Sequence, residues 1–381
     1  MAPPVLVAGA GIGGLTLALA LARRGAPSEI FERAAVLDEI GAGVQLAPNA
    51  SRALDALGLG PALDAVAVRP EGVFVVDAPR GRRLKEIPLG LRAERRWGAP
   101  YRVVHRADLQ AVLLAAVLAE PSATITLGAT VTAAEETADG AALVFDRDGA
   151  PDRREGAVVV GADGLRSVVR DAVKLPRAVR ETGLVAARAI VPAAALPEAF
   201  PVSHVSVWLG PGAHMVVYPV RGGREANVVL IGAVGDAAPD ARVARWAEPA
   251  RALVAAADRW TDWPLFDRAP APRLRRGRVA LIGDAAHATL PSLGQGAAFA
   301  IEDAVVLARL IAAGGPDPLA AYETARIMRA MRLPEASRRQ IAIDHMGGLA
   351  ARARNLALAA APTGALLGGL DWIYGWRDAE G

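Results

Sequence analysis

Apolar residues run unbroken from Val5 to Ala8 and resume, mixed with small residues, as far as Leu21, with glycines at 9, 11, 13 and 14 between. Four consecutive apolar positions ending in glycine read as a strand buried on both faces; the run that follows is long enough for a helix. The pattern predicts strand Val5–Ala8, a turn, helix Gly13–Arg24 and strand Glu29–Glu32, the opening of a doubly wound α/β unit. The eighteen residues of 5–22 have the length of a membrane span. Their glycines and the lack of a basic flank favour a buried strand and helix, and no charged region precedes them as a signal peptide would require. The expectation is a cytoplasmic protein without a membrane partner.

Periodicity predicts amphipathic helices over 49–57 and 107–118. Residues 73–78 and 84–88 flank the turn signal Pro79-Arg-Gly81 and read as an antiparallel hairpin. Segments 125–127, 142–145 and 157–160 read as a meander broken at Asp139-Gly140 and Asp148-Gly149. Strand patterns dominate 180–270, at 183–191, 205–209, 215–220 and 227–232. An apolar strand over 279–282 and a helix over 297–311 follow, and 346–381 reads as a helical appendage. The fold class is α/β: a Rossmann-type dinucleotide-binding domain with an inserted β-rich substrate domain and a C-terminal helical segment. The dinucleotide-binding part takes 1–72, 101–179 and 271–345; the substrate part takes 73–100 and 180–270.

A chain of 381 residues is long enough for a sizeable core. The net charge of +3 is small, and no dense basic block with interleaved aromatics is present, so no nucleic-acid partner is expected. Cysteine is absent, which removes disulfides, thiolate zinc sites and cysteinyl cofactor linkages. The five histidines (105, 204, 214, 287 and 345) lack metal-ligand spacing, so no metal is expected.

Three clusters carry chemistry. Gly9-x-Gly11-x-x-Gly14, with Gly13, lies between strand and helix, where glycines let a pyrophosphate approach backbone amides at a helix N-terminus. Glu32, closing the next strand, can accept from a ribose diol, which suits FAD or NAD rather than NADP. Gly161-Ala-Asp163-Gly164-Leu-Arg166-Ser167-Val-Val-Arg170 follows an apolar strand and is expected to open a helix with Arg166 and Arg170 on one face. A surface salt-bridge turn reads that segment equally well. Gly283-Asp284-Ala-Ala-His287 ends another strand and leads to Pro291-Ser-Leu-Gly294-Gln-Gly296 before the helix at Ala297. Asp284 can bond ribityl hydroxyls, Gly294 and Gly296 let backbone lie under a flat ring, and the helix dipole favours negative charge on that ring's edge. Together these point to a flavin.

In this order the three clusters resemble the single-component FAD-dependent aromatic hydroxylases over nearly the whole chain. Gly41-Ala-Gly-Val-Gln45-Leu-Ala-Pro-Asn-Ala50 and His105-Arg106-Ala-Asp108-Leu109 are similar to two further family segments. Tyr322-Glu-x-x-Arg326 and Asp371-Trp-Ile-Tyr-Gly375 resemble the salicylate and 3-hydroxybenzoate hydroxylase branch. The resemblance implies non-covalent FAD held with the help of Arg33, Arg106 and Asp163, and NADH or NADPH as co-substrate. It implies that O2 forms a flavin hydroperoxide whose distal oxygen atom goes to a small aromatic ring, phenolic or an aromatic acid, the other leaving as water, while the protein shields the site from solvent.

His214 and Tyr218 are the candidate catalytic pair, facing one side of a strand so that both can reach a substrate hydroxyl. Packing of a half-buried sheet face is the bland reading of the same two residues. Arg188 is a candidate carboxylate clamp, with Gln45 and Pro291 at the pocket; Ser292 and Leu293 stand where several relatives carry His or Gln. His287 is expected to order its turn. Competing readings are the same chemistry on a purine-like heterocycle and a redox-silent flavin-binding protein. A halogenase is disfavoured because the spacing of Trp260-Thr-Asp-Trp263-Pro264 does not fit. The chain is expected to be a monomer or homodimer.

Overall fold

Val5–Ala8 is buried at every position and lies inside a six-stranded sheet ordered 275–276, 279–281, 158–161, 5–8, 28–32 and 123–127. All pairings are parallel except the two-residue edge strand Arg275–Arg276. The computed structural model describes residues 2–37, 43–235 and 238–379. The helix Ile12–Ala22 packs against this sheet and against the helix Gly296–Ala313; at Gly13 an added Cβ would stand 3.3 Å from the Ala300 Cβ.

The expected meander over 125–160 is corrected. Residues 123–127 and 158–161 pair inside the parallel sheet, and 129–136, 141–147 and 150–156 form a separate antiparallel three-stranded sheet. Strands 129–136 and 150–156 are largely solvent-facing and polar, so they carried too little apolar signal to be read.

A seven-stranded sheet is ordered 261–267, 180–192, 225–233, 213–220, 204–210, 72–77 and 82–88. The hairpin 72–88 therefore extends the sheet built by the middle of the chain, through a parallel pairing of 72–77 with 204–210. Between the two large sheets runs a short antiparallel ladder, Gly43–Leu46 with Arg102–His105. Gly43 donates its N–H to Asn227 Oδ1 at 2.9 Å, and its missing Cβ leaves room for the Tyr218 ring, which an added Cβ would meet at 2.3 Å. Glycine at 43 thus lets the ladder seat directly on the seven-stranded sheet. The first two residues of the motif beginning at Gly41 lie outside the described residues.

Helices Pro318–Asp344, Gly348–Ala360, Thr363–Gly369 and Asp371–Tyr374 complete the chain. Asp371 accepts from Arg96 Nε at 2.8 Å and from Trp97 Nε1 at 2.7 Å, and Tyr374 packs edge-on against Trp97. The tail is therefore folded back onto the segment that leads into the central ladder.

Candidate active site

A cavity of about 670 Å³ lies between the two large sheets, with the glycine turn at one end and the strand 213–220 at the other. Gly9 has φ +101°, and a Cβ there would stand 2.7 Å from the Ala162 carbonyl oxygen. Gly14 sits one helical turn on, where a Cβ would fall 2.0 Å from the Gly9 oxygen. Gly11 is different: a Cβ added there meets nothing within 4 Å, because it faces the cavity. The helix after it has no side-chain cap, so its first amides are free to receive an anion. The helix Gly296–Ala313 likewise starts uncapped at the cavity wall, one residue before the expected start.

Gly9, Gly11, Gly13, Glu32, Arg33, Arg106, Asp163, Asp284, Gly294, Gly296 and Ala297 all line this one cavity. Of the predicted cofactor-side residues only Gly14 is away from the wall, packed inside the turn. Glu32 accepts the N–H of Ala10 at 2.8 Å and that of Ala34 at 2.9 Å, so its carboxylate is fixed in place by the backbone it serves. Asp163 accepts from the N–H of Val168 at 2.8 Å through Oδ2, while its buried Oδ1 has no partner among the described residues. Burial pushes this carboxyl above its ordinary value.

The expectation of a helix after Asp163 is corrected. The chain makes a turn through Gly164 (φ +75°) and a single 3-10 turn over Val169–Asp171. The Asp163 carboxylate captures amides that a helix would have used. Arg166 is exposed, whereas Arg170 is buried and donates to the Ala285 oxygen at 2.6 Å, so the two share no face. Arg170 thereby ties the Asp163 turn to the Asp284 turn.

The Asp284 turn rests on a buried ionic cluster. Gly283 (φ +57°) donates to Asp303 Oδ2 at 3.0 Å, and His287 Nε2 lies 2.6 Å from the same oxygen. Arg326 Nε donates to Asp303 Oδ1 at 2.7 Å. Its Nη1 stands 2.7 Å from Glu302 Oε2, close enough for an ion pair but too poorly aligned for a hydrogen bond. Tyr322 Oη donates to the Leu281 oxygen at 2.8 Å, and Glu323 accepts from Leu274 N–H. The Tyr322-Glu-x-x-Arg326 segment is therefore a clamp that holds strand 279–281 and its following turn. His287 orders that turn, as the sequence indicated.

The opposite wall follows the two-residue period of a sheet. His214, Val216 and Tyr218 face the cavity from one strand, Val229 and Ile231 from the next, and Arg188 from the third. His214 is 1 % exposed and Tyr218 is 5 % exposed. Burial, with His345 beside it, pulls the His214 imidazole down to about 3, so it stands neutral at physiological pH. Burial raises the Tyr218 phenol well above its ordinary 10.0, which keeps it a donor. The Arg188 guanidinium is lowered by burial, lies over the Trp263 ring at 5.5 Å, and keeps a buried Nε without a partner. Gln45 and Pro291 are also at the wall, and Gln45 accepts from the Tyr101 hydroxyl. Tyr101 was not singled out from sequence, nor was His345, whose Nε2 lies 2.8 Å from His214 Nδ1. Only a fold that joins positions 131 residues apart reveals that pair.

A parallel sheet whose glycine turn opens onto a cavity that reaches a His–Tyr sheet wall fits a dinucleotide cofactor held against a second ligand. Residues 3–337 match the family model described as FAD binding domain, and the chain belongs to that family. It is 36% identical to 3-hydroxybenzoate 6-hydroxylase of Polaromonas naphthalenivorans, over 98% of this chain and 96% of that one. It is 38% identical to 3-amino-4-hydroxybenzoate 2-monooxygenase of Streptomyces cremeus, over 88% and 86%. Klebsiella pneumoniae HpxO, in its complex with FAD and uric acid, superposes with a TM-score of 0.86 at 29% identity over 97% of this chain and 95% of that one. The protein is an FAD-dependent aromatic monooxygenase with NAD(P)H as electron donor. Among the described residues no helix is long and apolar enough to cross a membrane.

Proposed function

We propose that the substrate is a phenolic aromatic acid, hydroxylated on its ring, with its hydroxyl at His214 and Tyr218 and its carboxylate at Arg188. The observation that carries this reading is that one sheet face presents a neutral imidazole, a protonated phenol and a partly unpaired guanidinium to one cavity. A neutral imidazole accepts the phenolic proton, a tyrosine hydroxyl donates to the resulting oxygen, and a guanidinium recognises a carboxylate. The hydroxybenzoates in the names of the two relatives above carry the same two groups. A purine-like heterocycle is the second reading, favoured by the likeness to the urate-bound structure; the neutral imidazole at 214, with Tyr218 and Arg188 on the same wall, weighs towards the phenolic acid.

On the cofactor side, Gly9, Gly11, Gly13 and the uncapped helix would seat the FAD pyrophosphate, with Glu32 at the ribose and Arg33 and Arg106 beside it. Asp163, Asp284, Gly294, Gly296 and Ala297 would hold the ribityl chain and ring; the open space at Gly11 and the orphaned Asp163 Oδ1 fit such a ligand. Held by these residues, FAD would supply the redox chemistry, with NAD(P)H as reductant and O2 as oxidant. In this reading residues 1–72, 101–179 and 271–345 serve the cofactor and 73–100 and 180–270 the substrate, with 346–381 as a helical support.

Removing Asp284 takes away a charged acceptor, for which about 1.5–3 kcal/mol is typical. Asp284→Ala is therefore expected to lose FAD during gel filtration, read as a fall in the flavin-to-protein absorbance ratio. A fully loaded variant would remove Asp284 from the cofactor site. His214→Ala is expected to keep its FAD yet lower coupled hydroxylation by about a hundredfold, the usual scale for a positioned base. Hydroxylated product formed per NAD(P)H consumed is the readout, and undiminished coupling with 3-hydroxybenzoate would take His214 out of the mechanism.

A further inference from the structure

His214 does not end at the cavity wall. Its Nδ1 lies 2.8 Å from Nε2 of His345, the C-cap residue of the helix Pro318–Asp344, and the two rings stand 5.0 Å apart at 53°. The contact is anchored on both sides: Gly212 N–H donates to the His345 oxygen at 3.0 Å, and His345 N–H donates to Ile341 at 3.0 Å. Each histidine has one ring nitrogen left over. Neither His214 Nε2 nor His345 Nδ1 is closed off as a buried orphan, and His214 lines the cavity while His345 is only half-buried and does not. The four nitrogens thus line up from the cavity, through two imidazoles, to a half-buried residue outside it.

We infer that His345 is a relay residue that carries the substrate's phenolic proton from His214 out to solvent, by a route separate from the cavity mouth. This rests on the reading of His214 as the base. The proton leaves the substrate oxygen for His214 Nε2, the Nδ1 proton passes to His345 Nε2, and the His345 Nδ1 proton goes to water. One proton enters and one leaves, so neither ring need carry a lasting positive charge. The surroundings demand this, because burial lowers both imidazoles, His214 to about 3 and His345 to about 4. A lone histidine here would have to hold a buried imidazolium; a pair that hands the proton on does not.

The charged neighbours fit the same role. Arg354 lies beside His345, donating to the Ile343 oxygen at 2.9 Å and the Asp344 oxygen at 2.8 Å, and its charge opposes an imidazolium at 345. Asp344 is buried, accepts from Gln340 at 2.8 Å, and is pushed up to about 7 mainly by burial. On the cavity side, Arg188 and Tyr218 share the sheet face with His214. No carboxylate in this set is bonded to either ring, so none traps the proton on the way.

The test follows the proton directly, on the FAD-loaded enzyme. Bound 3-hydroxy-4-nitrobenzoate reports its own ionisation by the colour of its phenolate, and a stopped-flow pH jump on that complex gives the rate of proton loss. His345→Leu is expected to slow this relaxation at least tenfold while leaving FAD content, affinity for the probe and the final absorbance close to wild type. In His345→Ala, added imidazole should restore the rate. A relaxation unchanged in both variants would overturn the relay and send the proton through the cavity mouth. His214→Ala, run alongside, separates the two claims: if it too relaxes like wild type, the assignment of the base is what has failed. Loss of affinity or FAD in His345→Leu without rescue by imidazole in His345→Ala would make His345 a packing residue and equally overturn the proposal.

Discussion

Arg326→Ala is expected to lower the stability of the folded protein by about 3–5 kcal/mol, the cost of leaving buried charges without their partner. Arg326 is 1 % exposed and stands between Asp303 and Glu302, both fully buried. Removing it leaves Asp303 with His287 and the Gly283 N–H, and Glu302 with Arg329 and Asn49. For a chain of 381 residues the midpoint of thermal unfolding should fall by roughly 5 °C. The sign of the pH dependence is also fixed. His287 and Arg326 hold the Asp303 carboxyl well below its ordinary 3.8, so its contribution is present above that value and is lost as pH falls through the folded one. Without Arg326 the folded-state carboxyl takes up its proton more readily, and the deficit against wild type should narrow as pH drops from 7 towards 4. Parallel melting curves from pH 4 to 7 check both statements; a variant within a degree or two of wild type would show the cluster to be dispensable.

The second large effect is at the glycine turn. Gly14→Ala puts a methyl 2.0 Å from the backbone oxygen of Gly9, and backbone at a buried turn has little room to give. Overpacking of this kind costs typically about 1–3 kcal/mol, and here it displaces the amides that would meet the pyrophosphate. FAD retention should fall by more than a hundredfold, and the apo protein should also melt earlier. Gly11→Ala is the contrasting variant, since its methyl meets no protein atom within 4 Å. It should leave apo stability nearly unchanged and still weaken FAD binding, because the methyl occupies the ligand's side of the turn. Equal effects of the two variants on apo stability would contradict the division of labour between these glycines.

The glycine turn was readable from sequence because its function is local: strand, turn and helix are contiguous, and each glycine answers to a neighbour within the same unit. The same holds for His214 and Tyr218, whose shared face follows from strand periodicity alone. Readings failed where distant contacts decide. Arg166 and Arg170 have helical spacing, yet the Asp163 carboxylate and the Ala285 carbonyl draw that segment into a turn. The strands 129–136 and 150–156 show too few apolar positions to betray a sheet whose outer surface is wet. Asp303 lies on the helix predicted over 297–311, and His345 just before the predicted C-terminal appendage; only packing places the first against the Asp284 turn and the second against the hairpin at 210–213.

The central claim, a monooxygenase whose cavity takes a phenolic acid, is tested most directly by turnover of the FAD-loaded protein. NADH and NADPH oxidation would be followed across hydroxybenzoates, hydroxynicotinates and urate, with peroxide and hydroxylated product quantified for each. Oxidation stimulated by a carboxylated phenol, with product formed nearly one for one, is the predicted result. Coupled product from urate alone, or nothing but peroxide with every carboxylated phenol, would contradict it.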